Sequence, residues 1–183
     1  YLTIKSADKL NNIYTIGYPN FEVKNAFLSH IASKYIDKPP ADINLLTYRI
    51  SKALEAGDTK VFIEIIKTII ANIPYQLHIS KEAYYHSLFY LIMTLSGIKV
   101  NLEVSTNKGR IDGLIEFKDV IYILEFKYLD SIDKSESISA KAINQIKENE
   151  YFNSFLSLNK KIKMIAIAVG RKDVTLLEEE LKS

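Results

Sequence analysis

Two apolar stretches separated by only two polar residues set the frame for this chain. Residues 110–117 and 120–127 are rich in Ile, Leu, Val, Tyr and Phe, and only Lys118-Asp119 breaks them, which reads as two β-strands joined by a tight turn. With a two-residue turn Phe117 lies opposite Val120, and Asp112 falls opposite Glu125. Directly opposed residues have Cβ atoms roughly 4.5–5.5 Å apart, and like charges so placed repel. The strand period of two puts Lys127 on the face of Glu125 and Phe126 on the other. Lys-Asp is not the Asn-Gly type that fixes such a turn, and a one-residue slip would send Asp112 to the face opposite Glu125.

Ile111, Leu114, Ile115, Ile121, Ile123, Leu124 and Phe126 give both strands apolar residues on both faces, as in sheets covered on both sides. Charges inside such a sheet are costly unless paired or metal-bound. The plainer alternative is a surface ion pair at a sheet edge, worth little. Read as a site, the two carboxylates suit Mg²⁺ or Mn²⁺, which carboxylate oxygens, waters and phosphate oxygens ligate. A bound cation lowers the pKa of a coordinated water and offsets charge on a phosphate. Lys127 then either orients the attacking water or stabilises the phosphate by charge-assisted hydrogen bonds.

A third acid precedes the hairpin. Ser80 is placed to cap a helix running to about Ser96, where Gly97 stops it, and Glu82 lies in the first turn, where the helix dipole favours an acid. Tyr85, His86 and Phe89 follow at helical spacing, so the stripe carrying Glu82 runs into core-facing residues. Glu82 is thus a metal ligand, an acid acting through water, or a simple N-terminal charge. His86 reads as a buried or half-buried histidine.

Other chemistries leave little trace. His30, His78 and His86 are not spaced as a zinc pair, and no glycine-rich phosphate loop or nucleophile elbow occurs. Cysteine is absent, which excludes disulfides and thiolate metal sites and accords with a cytoplasmic location. No apolar run reaches the roughly 20 residues that span a bilayer, and the N-terminus lacks a signal-peptide plan, so no membrane role is expected. The net charge of +2 does not announce a nucleic-acid binder. Lys160, Lys161, Lys163, Arg171 and Lys172 around the last strand, with Lys141 and Lys147 before it, either form a phosphate track or are simply solvated.

The chain of 183 residues, 48% hydrophobic and 25% charged, can build one sizeable core with an extension. Residues 1–5 and 13–18 read as a hairpin, and 21–36 as a helix stopped by Pro39-Pro40. Residues 43–56 and 59–73 read as a helix pair broken at Gly57-Asp58. Phe62, Ile63, Ile65, Ile66, Ile69 and Ile70 make a broad apolar face that must be buried. Residues 131–139 are the most polar stretch and read as a loop near the site.

From the helix with Glu82 onward, a strand near 98–105, the hairpin, a helix near 139–156 and a strand at 163–169 give an αβββαβ order. With Gly109-Arg110-Ile111-Asp112 and Glu125-Phe126-Lys127, this resembles the PD-(D/E)XK nuclease superfamily. More narrowly it resembles the nuclease-like C-terminal domain of bacterial proteins that begin with an AAA-ATPase-like domain. The resemblance implies an α/β (α+β) restriction-endonuclease-like core with a mixed central sheet at 78–183, preceded by a hairpin and helical extension at 1–77. It implies a Mg²⁺- or Mn²⁺-dependent nuclease acting on DNA. Asp112, Glu125, Lys127 and Glu82 would be catalytic, with Asp112, Glu125 and Glu82 holding the metal. Arg110, Lys141 and Gln145 would contact substrate. Ile111 stands where many members have Pro, and Tyr151 lies six residues after Gln145, where some relatives space Gln and Tyr by four and this chain has Asn149. The chain starts at Tyr1, so an excised fragment is expected, with an upstream ATPase-like domain as partner. Homodimerisation is left open. The alternative is a nuclease fold that no longer cuts and serves as a binding or regulatory module beside that ATPase-like region.

Overall fold

The computed structural model describes residues 2–77, 79, 81–106, 108–129, 135–170 and 174–181, with the backbone alone at 75 and 135. In chain order come strands β1 (Thr3–Asp8) and β2 (Ile13–Gly17), then helices α1 (Phe21–Ile36), α2 (Pro40–Glu55), α3 (Thr59–Ala71) and α4 (Glu82–Leu95). Next are β3 (Val100–Ser105), β4 (Arg110–Glu116), β5 (Val120–Tyr128), α5 (Ser135–Glu148), β6 (Lys161–Val169) and β7 (Val174–Glu180). The last five strands form one sheet in the order β3-β4-β5-β6-β7. All neighbours are antiparallel except β5 and β6, which run parallel and are joined through α5, since parallel neighbours need a crossover.

The β4–β5 hairpin closes as the two-residue turn demands. Phe117 N donates to Val120 O at 2.8 Å, and the paired residues run from Glu116 opposite Ile121 to Gly113 opposite Leu124. Both faces are covered. Val120, Tyr122, Leu124 and Phe126 pack into a large cluster with residues of α1–α4, while Ile121 and Ile123 join Ala142, Ile143 and Ile146 of α5 in a smaller one. The apolar face of α3 is buried in the larger cluster through Phe62, Ile65, Ile66, Ile69 and Ile70, each side chain contributing roughly 1.5–3 kcal/mol.

Polar contacts fasten the helical layer to the sheet. Fully buried Tyr122 donates its hydroxyl to Leu54 O at 2.7 Å. Lys163 Nζ donates to Gly57 O at 3.0 Å and to Glu178 Oε1 at 2.6 Å, and Thr59 Oγ1 donates to Glu178 Oε2. The β1–β2 ribbon stands apart, every described residue of β1 being exposed, with Ile4 opposite Ile16.

Four expectations need correction. Pro40 opens α2 instead of ending α1, because proline suits the first helical turn; α1 stops where Asp37 turns left-handed at φ 50°. The helix expected at 139–156 ends at Glu148, since Glu150 is left-handed at φ 49°, and a short 3₁₀ helix, Asn153–Leu158, follows. Residues 135–139 of the expected polar loop are the start of α5, while 131–134 lie outside the described residues. Strand β7 was not anticipated: Leu-Leu-Glu-Glu-Glu favours a helix, but pairing with β6 overrides it, with Lys163 and Lys147 neutralising Glu178 and Glu179. Helix α4 starts at Glu82, with Lys81 and not Ser80 at its N-cap and no side-chain cap bond; Ser80 and His78 lie outside the described residues. It ends before Gly97, which is left-handed at φ 70°. Among the described residues no helix is long and apolar enough to cross a membrane.

Candidate active site

At the C-terminal end of β5 alternation turns Phe126 into the larger cluster, and Glu125 and Lys127 away from it. Glu125 is 1% exposed. Its Oε1 accepts from Lys127 Nζ at 2.8 Å, and its Oε2 is buried with no hydrogen-bond partner among the described residues. Burial is the largest influence on this carboxyl and pushes its pKa above the usual range; nearby Asp112 and Glu82 add to the rise and Lys127 opposes it. For Lys127, burial works against the ammonium, but the hydrogen bond and charge of Glu125, with Asp112 and Glu82, outweigh it and hold the pKa above its ordinary value.

Asp112 sits where the strand ladders lapse. It is absent from the β4 pairing with β5, which ends at Gly113, and from the pairing with β3, which passes from Gly113 to Ile111. The β3 residue facing it, Glu103, has a left-handed φ of 53°. Ile111 and Leu114, three apart, belong to one cluster, so the alternation of β4 slips between them. Asp112 therefore forms no regular cross-strand pair with Glu125. Instead its Oδ2 accepts the amide of Phe126 at 2.9 Å and lies 3.9 Å from Nε2 of His86.

Glu82, in the exposed first turn of α4, reaches the same strand end. Its Oε2 accepts the amide of Tyr128 at 3.3 Å. His86, one turn on, sets its ring edge-on to Phe126 with centroids 4.4 Å apart, and its Nε2 is buried without a hydrogen-bond partner among the described residues. The sequence placed His86 on the stripe of Glu82 but gave no sign that it would lie beside Asp112. Tyr85, its neighbour, stacks on Tyr128 at 5.9 Å.

The structure thus brings Asp112, Glu125, Lys127 and Glu82 together. Arg110 is exposed and turned to Glu103, Nη1 to Oε2 at 3.5 Å. Lys141 is exposed and Gln145 half-buried on α5, and no hydrogen bond joins either side chain to the four among the described residues. Three lysines of the track are paired: Lys147 with Glu179 at 2.6 Å, Lys160 with Glu116 at 2.5 Å and Lys163 with Glu178 at 2.6 Å. Arg171 and Lys172 lie outside the described residues.

Three carboxylates against one ammonium leave the site short of positive charge. With the unpartnered Oε2 of Glu125, this donor set suits a hard divalent cation in charge and type. Among the described residues no three His, Asp or Glu side chains are gathered as a finished ligand set.

Comparison with known proteins bears on the same stretch. Over 178 residues the chain is 26% identical to the uncharacterized protein in the vnfD 5′ region of Azotobacter chroococcum mcd 1. The match covers 93% of this chain and 33% of that protein, so the chain spans about a third of the relative's length. A family model described as the PD-(D/E)XK nuclease superfamily matches residues 80–179, which is more than half of the 183 residues and holds every residue of the cluster. With the Asp, the Glu-x-Lys strand and the mixed sheet that carries them in place, the chain belongs to the PD-(D/E)XK nuclease superfamily.

Proposed function

We propose that this chain is a metal-dependent phosphodiesterase that hydrolyses DNA, with Asp112, Glu125 and Glu82 holding Mg²⁺ or Mn²⁺ and Lys127 as its catalytic ammonium. The observation that carries the reading is Glu125: buried at 1% exposure, with one oxygen on Lys127 and the other without a partner among the described residues. Burying such a carboxylate is costly unless a cation completes its surroundings. When bound, a divalent cation supplies Lewis acidity toward a phosphate oxygen and a more acidic water.

The chain's own groups divide the remaining work. Lys127, charged and anchored on Glu125 at 2.8 Å, keeps further N–H donors for an anionic phosphate oxygen. The amide of Phe126 fixes one oxygen of Asp112, and that of Tyr128 fixes one of Glu82, so two acids are oriented by consecutive outward amides of the strand that carries the third. Lys141 and Gln145 on α5 are candidates for contact with the DNA backbone, as is Arg110 once released from Glu103.

The test is incubation with plasmid and single-stranded DNA in Mg²⁺ or Mn²⁺, then with chelator. Metal-dependent cleavage lost in Lys127→Ala and Asp112→Asn is the expected result. Cleavage unchanged in both would overturn the site assignment. A second reading, a nuclease-shaped module that binds or regulates beside an upstream ATPase-like domain, is favoured by the unfinished ligand set. It predicts neither cleavage nor binding of divalent ions.

A further inference from the structure

Gly109, the first residue of the Gly-Arg-Ile-Asp run, is the opening. Its backbone is not left-handed, unlike Gly57 and Gly97, so conformational freedom does not explain it. A Cβ built there would lie 2.6 Å from Tyr151 Oη and 3.4 Å from two carbons of the same ring. Tyr151 cannot easily yield. It is 2% exposed, packed in one cluster with Ile111, and its hydroxyl accepts from Asn149 Nδ2 at 3.0 Å.

The contact is one strand of a larger clasp. Gly109 O accepts from Thr106 N at 2.7 Å and from Thr106 Oγ1 at 3.0 Å, closing the turn between β3 and β4. Lys108 Nζ pairs with Glu150 Oε2 at 2.5 Å, and Asn153 Nδ2 donates to that same oxygen at 3.0 Å. The segment after α5 therefore grips the turn from which β4 departs. Three residues beyond Gly109 stands Asp112, which among the described residues has no ladder partner and is aimed by its bond to the Phe126 amide.

We propose that Tyr151 is a positioning residue: its buried hydroxyl, seated against the bare Cα of Gly109, fixes where β4 starts and so where the Asp112 carboxylate lies. The catalytic consequence rests on the nuclease reading above. The placement itself does not, and the experiment separates the two.

The variants are Gly109→Ala, Tyr151→Phe and the two combined, in the full 183-residue chain. The readout that needs neither metal nor substrate is the Phe126 amide, followed by its NMR shift and hydrogen exchange. Gly109→Ala is expected to move that resonance and speed its exchange by about tenfold or more, and adding Tyr151→Phe, which removes the clashing oxygen, to restore both. On cleavage of DNA, Gly109→Ala should lower kcat about tenfold or more with little change in KM, since small misplacements of reacting groups cost rate, and the double variant should recover it. An unmoved Phe126 amide in Gly109→Ala, or no rescue by Tyr151→Phe, would overturn the proposal. Should Gly109→Ala fail to fold, folding of the double variant supports the clasp and its failure overturns it. A wild-type chain that cuts nothing while the amide behaves as expected sinks only the nuclease reading.

Discussion

Lys127 Nζ lies 2.8 Å from Glu125 Oε1, the side chains 31% and 2% exposed. The pair is lopsided: the carboxylate is sealed in while the ammonium keeps a face to solvent. Removing the lysine leaves a buried acceptor unsatisfied, which costs roughly 1–3 kcal/mol. Lys127→Ala should therefore lose stability of that order in urea unfolding and lose cleavage by about 100-fold or more. Lys127→Ala that is as stable as wild type would mean that Glu125 is already neutral.

Divalent ions should stabilise the fold by linkage. At 100 times the dissociation constant a ligand specific for the native state adds about 2.7 kcal/mol, visible as a rise in melting temperature with Mn²⁺. Asp112→Asn and Glu125→Gln should abolish that rise. An equal rise in both variants places the ion elsewhere.

Glu82 is exposed, and among the described residues its side chain bonds only to a backbone amide, so Glu82→Gln should change stability by less than about 0.5 kcal/mol. Cleavage should still fall, roughly tenfold or more, because an acid that orients water or metal contributes to rate and not to folding. Paired melting curves and initial rates decide it.

Alkaline pH offers a test of the join between helices and sheet. Burial, with smaller contributions from Glu178 and Asp58, pushes the Tyr122 hydroxyl up to about 12. Its folded pKa exceeds the unfolded value near 10, so above that value the unfolded chain binds fewer protons and stability falls as pH rises. The loss attributable to Tyr122 runs from about pH 10 to about pH 12 and is on the order of 2–3 kcal/mol. Tyr122→Phe should show a flatter decline across that window, and start lower by about 1 kcal/mol because Leu54 O loses its donor. Parallel slopes for the two proteins would refute this.

Much of the site was legible because its signals are local. The short Lys118-Asp119 break set the hairpin register from Glu116 opposite Ile121 to Gly113 opposite Leu124, and the period of two put Lys127 beside Glu125. What escaped depends on contacts distant in sequence. The left-handed Glu103 that takes Asp112 out of its ladder, the approach of His86 to Asp112 and the seat of Tyr151 on Gly109 leave no periodic trace. The ion pair of Arg110 with Glu103 escaped for the same reason, since Glu103 lies on a strand whose bend the sequence does not announce. Strand β7 escaped because its local preference runs against its final pairing.

The hydroxyl of Tyr122 on Leu54 O and the ammonium of Lys163 on Gly57 O tie the nuclease-family half to the corner between α2 and α3. Severing the chain ahead of α4 would uncover the β5 side chains that those helices shield, and would leave a phenol and a lysine facing water in place of carbonyls. A truncated 80–179 piece, though it spans the whole family match, would thus be a poor candidate for expression by itself, and studies of catalysis should keep the preceding helices attached.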